Sequence, residues 1–315
     1  MDRREYLYGA TAALTMAFAG CSDTSDGTTT EPETTTEPET TTEPETTTEP
    51  EETTTEPEET TTEPDRVDGS LPAWSTWIPA DTFPDQQAEV VVVDVQQARD
   101  QFPADAYAEF NFATIADGYG VSESDFEYLI GLSRSGYSDV TAITGNYDPT
   151  AIIDHLGVSD DNVETDHGYQ IIAGETAIGE SAIIIGSDYD MLVNVRNGET
   201  ASLGTTDDWR DLLVAISDGA LVSFQQGDAL SEDGQSPLDG DVESSAIEID
   251  SAGGSRARTT MHLMFDSETR AQEVLDNNRQ AIIDGATEDN GGSLERIERE
   301  GKRIVIVIET ETFDF

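Results

Sequence analysis

A repeat of threonine, glutamate and proline runs from Thr28 to Pro64 and excludes regular structure from that part of the chain. Proline recurs every six or seven residues, which interrupts any helix. The glutamates repel one another and no apolar side chain is available for burial, so nothing offsets the entropy of ordering. The repeat predicts a disordered stalk, either unmodified or O-glycosylated on its threonines. Folded structure is expected in the 251 residues that follow.

A short leader precedes this stalk. Arg3 and Arg4 are followed by an apolar segment from Tyr8 to Phe18, and small residues stand directly before Cys21. The segment has 11 residues, which is too few to span a bilayer, since that needs about 20. A basic start, a short apolar segment and small residues before the cleavage point are the parts of a secretory signal peptide. Residues 1–20 are therefore predicted to be a signal peptide.

Cys21 is the only cysteine of the chain, so no intrachain disulfide can form. An exposed reactive thiol would be a liability on an exported protein, and a lipid thioether would remove it. We therefore predict lipidation at Cys21, with residues 21–69 as a lipid-anchored stalk on the outer face of the cytoplasmic membrane. The alternative is an incidental thiol close to a cleaved leader.

Two motifs of the leader resemble those of a known class of proteins. The segment Arg3–Leu7 resembles the twin-arginine export signal, and Ala19–Cys21 resembles a lipobox, in which the cysteine becomes the first residue. Together with the stalk, they are similar to twin-arginine-exported lipoproteins of halophilic archaea. The resemblance covers residues 1–64 and implies an exported, membrane-anchored protein. It implies no activity for the remainder.

The formal net charge of −52 is not confined to the stalk. Residues 1–64 hold 17 acidic and 2 basic side chains, which leaves a net charge of −37 for the remainder. Among the basic residues, Lys302 is the sole lysine beside 14 arginines. This composition resembles that of secreted halophilic proteins, whose carboxylates keep the surface hydrated while molar salt screens their repulsion. A dedicated acidic ligand site is the alternative. Nucleic acid is excluded as a partner because its recognition needs basic patches.

Strand and helix patterns predict an α+β fold of antiparallel sheets with helices on one face. The β-branched run Val90–Val95 predicts a buried strand. Between Val140 and Gln225 the order β-α-β-β-α-β is that of a ferredoxin-like (split βαβ) unit. We assign residues 70–227 to a first α+β unit and residues 228–315 to a second unit packed against the first.

The second unit consists of predicted hairpins on either side of a helix that begins near Ser267. Its strand-to-helix junction, Met264–Ser267, repeats the order of an aromatic residue, an aspartate and a helix start seen in Asn146–Pro149. This similarity predicts an internal duplication and thus two related ferredoxin-like units. The alternative is that capping and the helix dipole favour aspartate at both junctions.

His167 lies close to Asp166 and Glu164. An imidazole among carboxylates can bind a divalent cation, so these three residues are the metal candidates, although an acidic chain forms such clusters by chance. His155, in a predicted helix, and His262, in a predicted strand, are expected to have packing or surface roles.

Arg256 and Arg258 form a concentrated basic feature beside a glycine-rich hairpin. They are candidates for binding an anion or an acidic partner segment. Intramolecular ion pairs with neighbouring carboxylates are the alternative.

The chain has no nucleophile elbow, phosphate-binding loop, zinc-protease motif or dinucleotide fingerprint. The sequence therefore predicts a non-catalytic lipoprotein without a cofactor, whose acidic domain contacts an envelope protein or a small ligand. One alternative is the solute-binding lipoprotein of an importer, which would need a cleft between two lobes. The other is an extracellular hydrolase, which would need a compact constellation around His167.

Overall fold

The computed structural model describes residues 70–82, 88–134, 139–206, 209–216, 219–226, 238, 242–288 and 292–311. Arg3, Arg4 and Cys21, which carry the predictions of export and lipidation, lie outside these ranges. The Thr/Glu/Pro repeat also lies outside them. Export, lipidation and a disordered stalk therefore stay predictions.

Twelve strands and seven α-helices are formed by the described residues. The strands are β1 (Ala88–Asp94), β2 (Phe126–Arg134), β3 (Val140–Gly145), β4 (Val163–Asp166), β5 (Tyr169–Ile172), β6 (Thr176–Ile178), β7 (Ala182–Ile185), β8 (Leu221–Gln226), β9 (Ser244–Gly253), β10 (Arg256–Met264), β11 (Ser293–Glu300) and β12 (Arg303–Thr310). The helices are α1 (Val95–Gln101), α2 (Ala104–Glu109), α3 (Phe112–Tyr119), α4 (Pro149–Leu156), α5 (Asp190–Arg196), α6 (Arg210–Ala215) and α7 (Glu268–Glu288).

All twelve strands belong to one sheet, in the order β11-β12-β10-β9-β8-β1-β2-β3-β7-β6-β5-β4. Every neighbouring pair is antiparallel. The predicted α+β class and the antiparallel pairing are thus confirmed. β8 and β9 pair along six residues, so the sheet runs without a break from the first predicted unit into the second.

The valine run forms β1, as predicted, and this strand is buried on both sides of the sheet. Successive side chains of a strand point to opposite faces. Val90 and Val92 pack in one apolar cluster, whereas Val93 packs in another. We name the two sides of the sheet the Val92 face and the Val93 face.

The prediction that helices cover one face is wrong, because helices lie on both. Helices α1, α3 and α4 pack on the Val93 face of the central strands, and α7 packs on the same face of β10, β11 and β12. Helices α5 and α6 pack on the Val92 face, together with Trp74 and Trp77 of a 3₁₀ segment. The physical reason lies in β1, since a strand that is apolar on both sides needs cover on both sides.

The Val92 face changes in character toward the β11 edge. Its apolar cluster extends across β8 and reaches Ala246 of β9 and Met264 of β10. On the same face, Val305 and Val307 of β12 are buried. The other side chains that β11 and β12 present there are charged: Arg296, Glu298, Glu300, Arg303 and Glu309.

The strand order differs from that of a ferredoxin-like unit. In a split βαβ unit made of β3, α4 and the following elements, β8 would lie beside β3. Instead, β1 and β2 lie between them, and β6 lies between β5 and β7. The doubly buried β1 explains this difference, because such a strand is stable only in the middle of a sheet.

The two similar strand-to-helix junctions are capped at different positions. Asp148 caps α4 and accepts hydrogen bonds from the backbone N–H of Thr150 and Ala151, at 3.0 and 3.2 Å. At α7 the capping atom is Oγ of Ser267, one residue later, which accepts from Arg270 N–H at 3.2 Å. Capping therefore accounts for the aspartate at Asp148, whereas Asp266 accepts a hydrogen bond from the hydroxyl of the capping Ser267.

Candidate functional site

A buried ionisable pair on the Val92 face is the densest polar feature of the described core. His262 on β10 lies opposite Ala246 on β9, and Glu248 is its diagonal neighbour on the same face. His262 is 4% exposed and Glu248 is 9% exposed. Nε2 of the imidazole lies 2.8 Å from Oε2 of the carboxylate. Burial of either group would be costly without the other.

The carboxylate fixes the orientation of this imidazole. An ionised carboxylate only accepts hydrogen bonds, so Nε2 of His262 carries a proton and donates it to Glu248. The other ring nitrogen, Nδ1, is shielded from solvent and has no hydrogen-bond partner among the residues that the structure describes. The arrangement resembles the way in which many proteins hold a histidine so that one ring nitrogen is left for another group.

Two more unpartnered atoms lie on the same face, in the neighbouring row of the sheet. In this row Gln226, Ser244, Met264 and Arg303 stand side by side on β8, β9, β10 and β12. Like Nδ1 of His262, Oε1 of Gln226 and Nε of Arg303 are shielded and find no hydrogen-bond partner in the described part of the chain. An acceptor, a donor and an imidazole nitrogen thus lie within four adjacent strands. Each such atom costs about 1–3 kcal/mol while it is unpaired.

The carboxylate of Glu248 holds the imidazole of His262 in one orientation. This polar group does not have the composition of a metal centre, because no three histidine, cysteine, aspartate or glutamate side chains cluster suitably within the described ranges. Sequence reasoning predicted a packing role for His262 but missed Glu248. The available signal was the position of Glu248 between Ile247 and Ile249, on the face of the strand opposite to them.

His167 occupies the tight turn between β4 and β5 and lies at the surface. Its Nδ1 donates to Asp166 and its Nε2 donates to Glu199, both at 2.9 Å. The hydrogen bond to Asp166, followed by that to Glu199, raises the pKa of His167 above its usual value. Both nitrogens face carboxylates, which favours the imidazolium form, and this form offers no lone pair to a metal.

The structure therefore brings together only two of the three metal candidates. Asp166 contacts His167, whereas the exposed Glu164 on β4 joins no cluster of three possible ligands among the described side chains. Glu199, which sequence reasoning did not consider, takes the second position on the imidazole. It follows 32 residues after His167, and no local signal links the two.

His155, predicted to have a packing or surface role, lies at the surface and connects two helices. Its Nε2 lies 3.1 Å from the carbonyl oxygen of Asp117 near the end of α3. Gly120, at φ 69°, lies against the ring, and a β-carbon there would come within 2.4 Å of it. Glycine is thus required at position 120 for both its conformation and its size.

Arg256 and Arg258 both form ion pairs within the chain. Arg256 contacts Glu309 on β12 at 2.5 Å. Arg258 contacts both carboxylate oxygens of Glu295 on β11, at 3.1 and 3.5 Å. These contacts favour the alternative of intramolecular ion pairs over an anion site.

In the described part of the chain, no helix is both long enough and apolar enough to cross a membrane. Comparison with known proteins yields no match to a protein-family model, to a curated protein or to a solved structure.

Proposed function

We propose that this chain is a non-catalytic surface lipoprotein, which displays its α+β domain on a stalk so that the domain contacts an envelope protein or a small ligand. The observation that carries the proposal is the position of Cys21. It is the only cysteine, it follows Ala19 and Gly20 at the end of a leader, and it directly precedes the stalk region. A lipid on its sulfur would hold the domain at the outer face of the membrane.

The charge of the domain supports a site of action outside the cell in high salt. A folded part with a net charge of −37 repels anionic headgroups and favours hydration. A lipid anchor would then supply the membrane attachment that the protein surface itself disfavours.

The arrangement of the sheet favours a display domain over the importer component. An importer component would bind its solute in a cleft between two lobes. Here β8 and β9 pair across the boundary between the two predicted units, and α1 to α4 and α7 share one face of the sheet.

The geometry around His167 gives no specific support to the hydrolase alternative. Both ring nitrogens hydrogen-bond to carboxylates. A general base needs a free nitrogen directed at a nucleophile or a water molecule.

The anchor is tested by separating membranes from the medium of cells that produce the Cys21→Ser variant. We expect the unaltered chain in the membrane fraction and the variant in the medium. Ser22→Ala, a change at the next residue, is the matched control and should stay with the membrane. Retention of Cys21→Ser in the membrane fraction after high-salt washing would refute the proposal.

Export is tested separately with an Arg3→Lys, Arg4→Lys double variant, since a twin-arginine signal depends on both guanidinium groups. Protease added to intact cells should digest the domain of the unaltered chain and leave that of the variant untouched inside. Equal digestion of both chains would show that the paired arginines do not direct export.

A further inference from the structure

β11 is an edge strand, and no described strand pairs with its outer side. It pairs with β12 along one side only and ends the sheet. Among the described residues, no hydrogen bond reaches the backbone on its outer side. Arg296 and Glu298 form an ion pair with each other at 2.5 Å, and their side chains are 50% and 43% exposed, so both can also reach a neighbouring strand. A free strand edge of this kind is a template for pairing with another strand.

The charges of β11 are arranged symmetrically with opposite sign about Ile297. Arg296 precedes this residue and Glu298 follows it, while Glu295 and Arg299 lie one position further out on either side. If a second β11 pairs antiparallel with Ile297 opposite Ile297, Arg296 faces Glu298 of the second copy, and the reverse. Opposite charges at directly opposed positions stabilise an antiparallel pair.

Neighbouring registers of the same pairing bring like charges together. In a two-fold pairing the axis must pass through a residue position, so that opposed side chains lie on one face. An axis at Glu298 would oppose two glutamates, although it would also place Arg296 opposite Glu300. An axis at Arg296 would oppose two arginines. Of these three registers, the one centred on Ile297 is the one in which no like charges are opposed.

We propose that two copies of this chain associate through their β11 strands, antiparallel about a two-fold axis at Ile297. The two sheets then form one continuous antiparallel sheet. The interface is isologous, because the same surface of each copy is used. On the Val92 face, Arg296 of each copy lies opposite Glu298 of the other copy.

The distribution of charge over the molecule places self-association at this edge. Eight of the 15 basic side chains lie between Arg256 and Arg303, in the strands and the helix at this end of the sheet. The opposite edge strand, β4, has the sequence Val-Glu-Thr-Asp and would oppose carboxylates to carboxylates. In a chain of net charge −52, the mixed signs of β11 make it the edge with the least repulsion between two copies.

A bulge restricts how far the new ladder extends. The pairing of β11 with β12 shifts register between Leu294 and Arg296, so that Glu295 is the extra residue. It contacts Arg258 on β10. Because bulges disrupt regular pairing, the ladder between copies is centred on Arg296, Ile297 and Glu298. In so short a ladder, the two contacts between Arg296 of one copy and Glu298 of the other supply a large share of the interaction.

The test is a charge-exchange cycle measured by sedimentation equilibrium of the full chain in density-matched detergent at one fixed salt concentration. Arg296→Glu places two glutamates opposite each other, and Glu298→Arg places two arginines opposite each other. The two-fold axis repeats each of these contacts, so each variant should raise the dimer dissociation constant about tenfold or more. The double variant carrying both changes restores opposed charges and should return to the affinity of the unaltered chain. Arg270→Glu, the same charge change on α7, is the control and should leave the affinity unchanged.

Hydrogen exchange separates association from a loss of folding. Backbone amides on the outer side of β11 should become protected as protein concentration rises, and Arg296→Glu should remove this protection while the amides of β1 stay protected. A chain that remains monomeric at every concentration would overturn the proposal. A dimer that Arg296→Glu affects no more than Arg270→Glu, or that the double variant does not restore, would overturn it as well.

Discussion

The imidazole of His262 is held by a single carboxylate that lies 14 positions away in the sequence. The two side chains meet because β9 and β10 pair in one particular register, in which Glu248 stands opposite Thr260. A slip of one residue would move Glu248 to the other face of the sheet. A local pattern could show that His262 lies in a strand, but it could not identify Glu248 as its partner.

Removal of this carboxylate should destabilise the fold. Glu248→Ala removes the hydrogen-bond partner of the buried His262. We expect the free energy of unfolding to fall by about 3 kcal/mol. Glu248→Gln keeps an acceptor for Nε2 and should cost less. Denaturant unfolding followed by tryptophan fluorescence measures both changes. Glu273→Ala on the exposed side of α7 is the control, and an equal loss in Glu248→Ala and Glu273→Ala would contradict the assigned role.

The surface ion pairs of His167 should make stability depend on pH in one direction. Its contacts with Asp166 and Glu199 raise its folded pKa above the unfolded value, which is about 6.5. The contribution is thus fully present below about pH 6.5 and is lost as pH rises through the raised folded pKa. NMR titration of the ring protons measures that pKa. Asp166→Asn should lower it, and no change in this variant would contradict the geometry.

At the scale of elements, α4 shows what the sequence could predict. Asp148, Pro149 and Gly157 mark its beginning and end, and each acts through local backbone chemistry: capping, a fixed φ at the first turn and a left-handed end. The valine run of β1 was equally predictable.

The order of the strands could not be predicted in the same way. β4 and β6 have only four and three residues, which is too short for a periodic pattern. The position of β1 and β2 between β8 and β3 depends on contacts between residues far apart in the chain. A central β1 that is apolar on both sides needs helices on both faces of the sheet. The prediction of helices on one face was therefore wrong for the same reason as the predicted strand order.

The cap of α4 gives a prediction at this scale. Asp148→Ala removes the acceptor for two backbone N–H groups and should cost about 1 kcal/mol of unfolding free energy. Asp148→Asn retains an acceptor oxygen and should stay within a few tenths of a kcal/mol of the unaltered chain. Denaturant unfolding of the two variants side by side measures the difference. Equal destabilisation by both substitutions would show that the charge, and not the cap, matters.

For the whole molecule, charge dominates the expected behaviour in solution. A chain with 67 acidic and 15 basic side chains repels itself when salt is scarce, and the screening length falls from about 10 Å at 0.1 M salt to about 3 Å at 1 M. We expect the thermal midpoint to rise steadily with potassium chloride concentration. An uncharged osmolyte at equal osmolarity is the control. A midpoint that is insensitive to the salt would contradict salt adaptation.

The candidate sites were predictable only in part at this scale. Composition and local pattern offered ion pairs as one of two roles for Arg256 and Arg258, and they predicted a packing or surface role for His155. The partners Glu199 and Glu248 did not, because both are supplied by distant parts of the chain. The self-complementary pattern of β11 is visible in the sequence, but it gains a meaning only when β11 is known to be an edge strand.

The most direct test of the account is the mass of the N-terminal peptide of the chain isolated from its membrane. We predict a peptide that begins at Cys21 and carries the additional mass of a lipid joined to the sulfur. A peptide that begins upstream of Cys21, or one that begins at this residue with an unmodified thiol, would contradict the account.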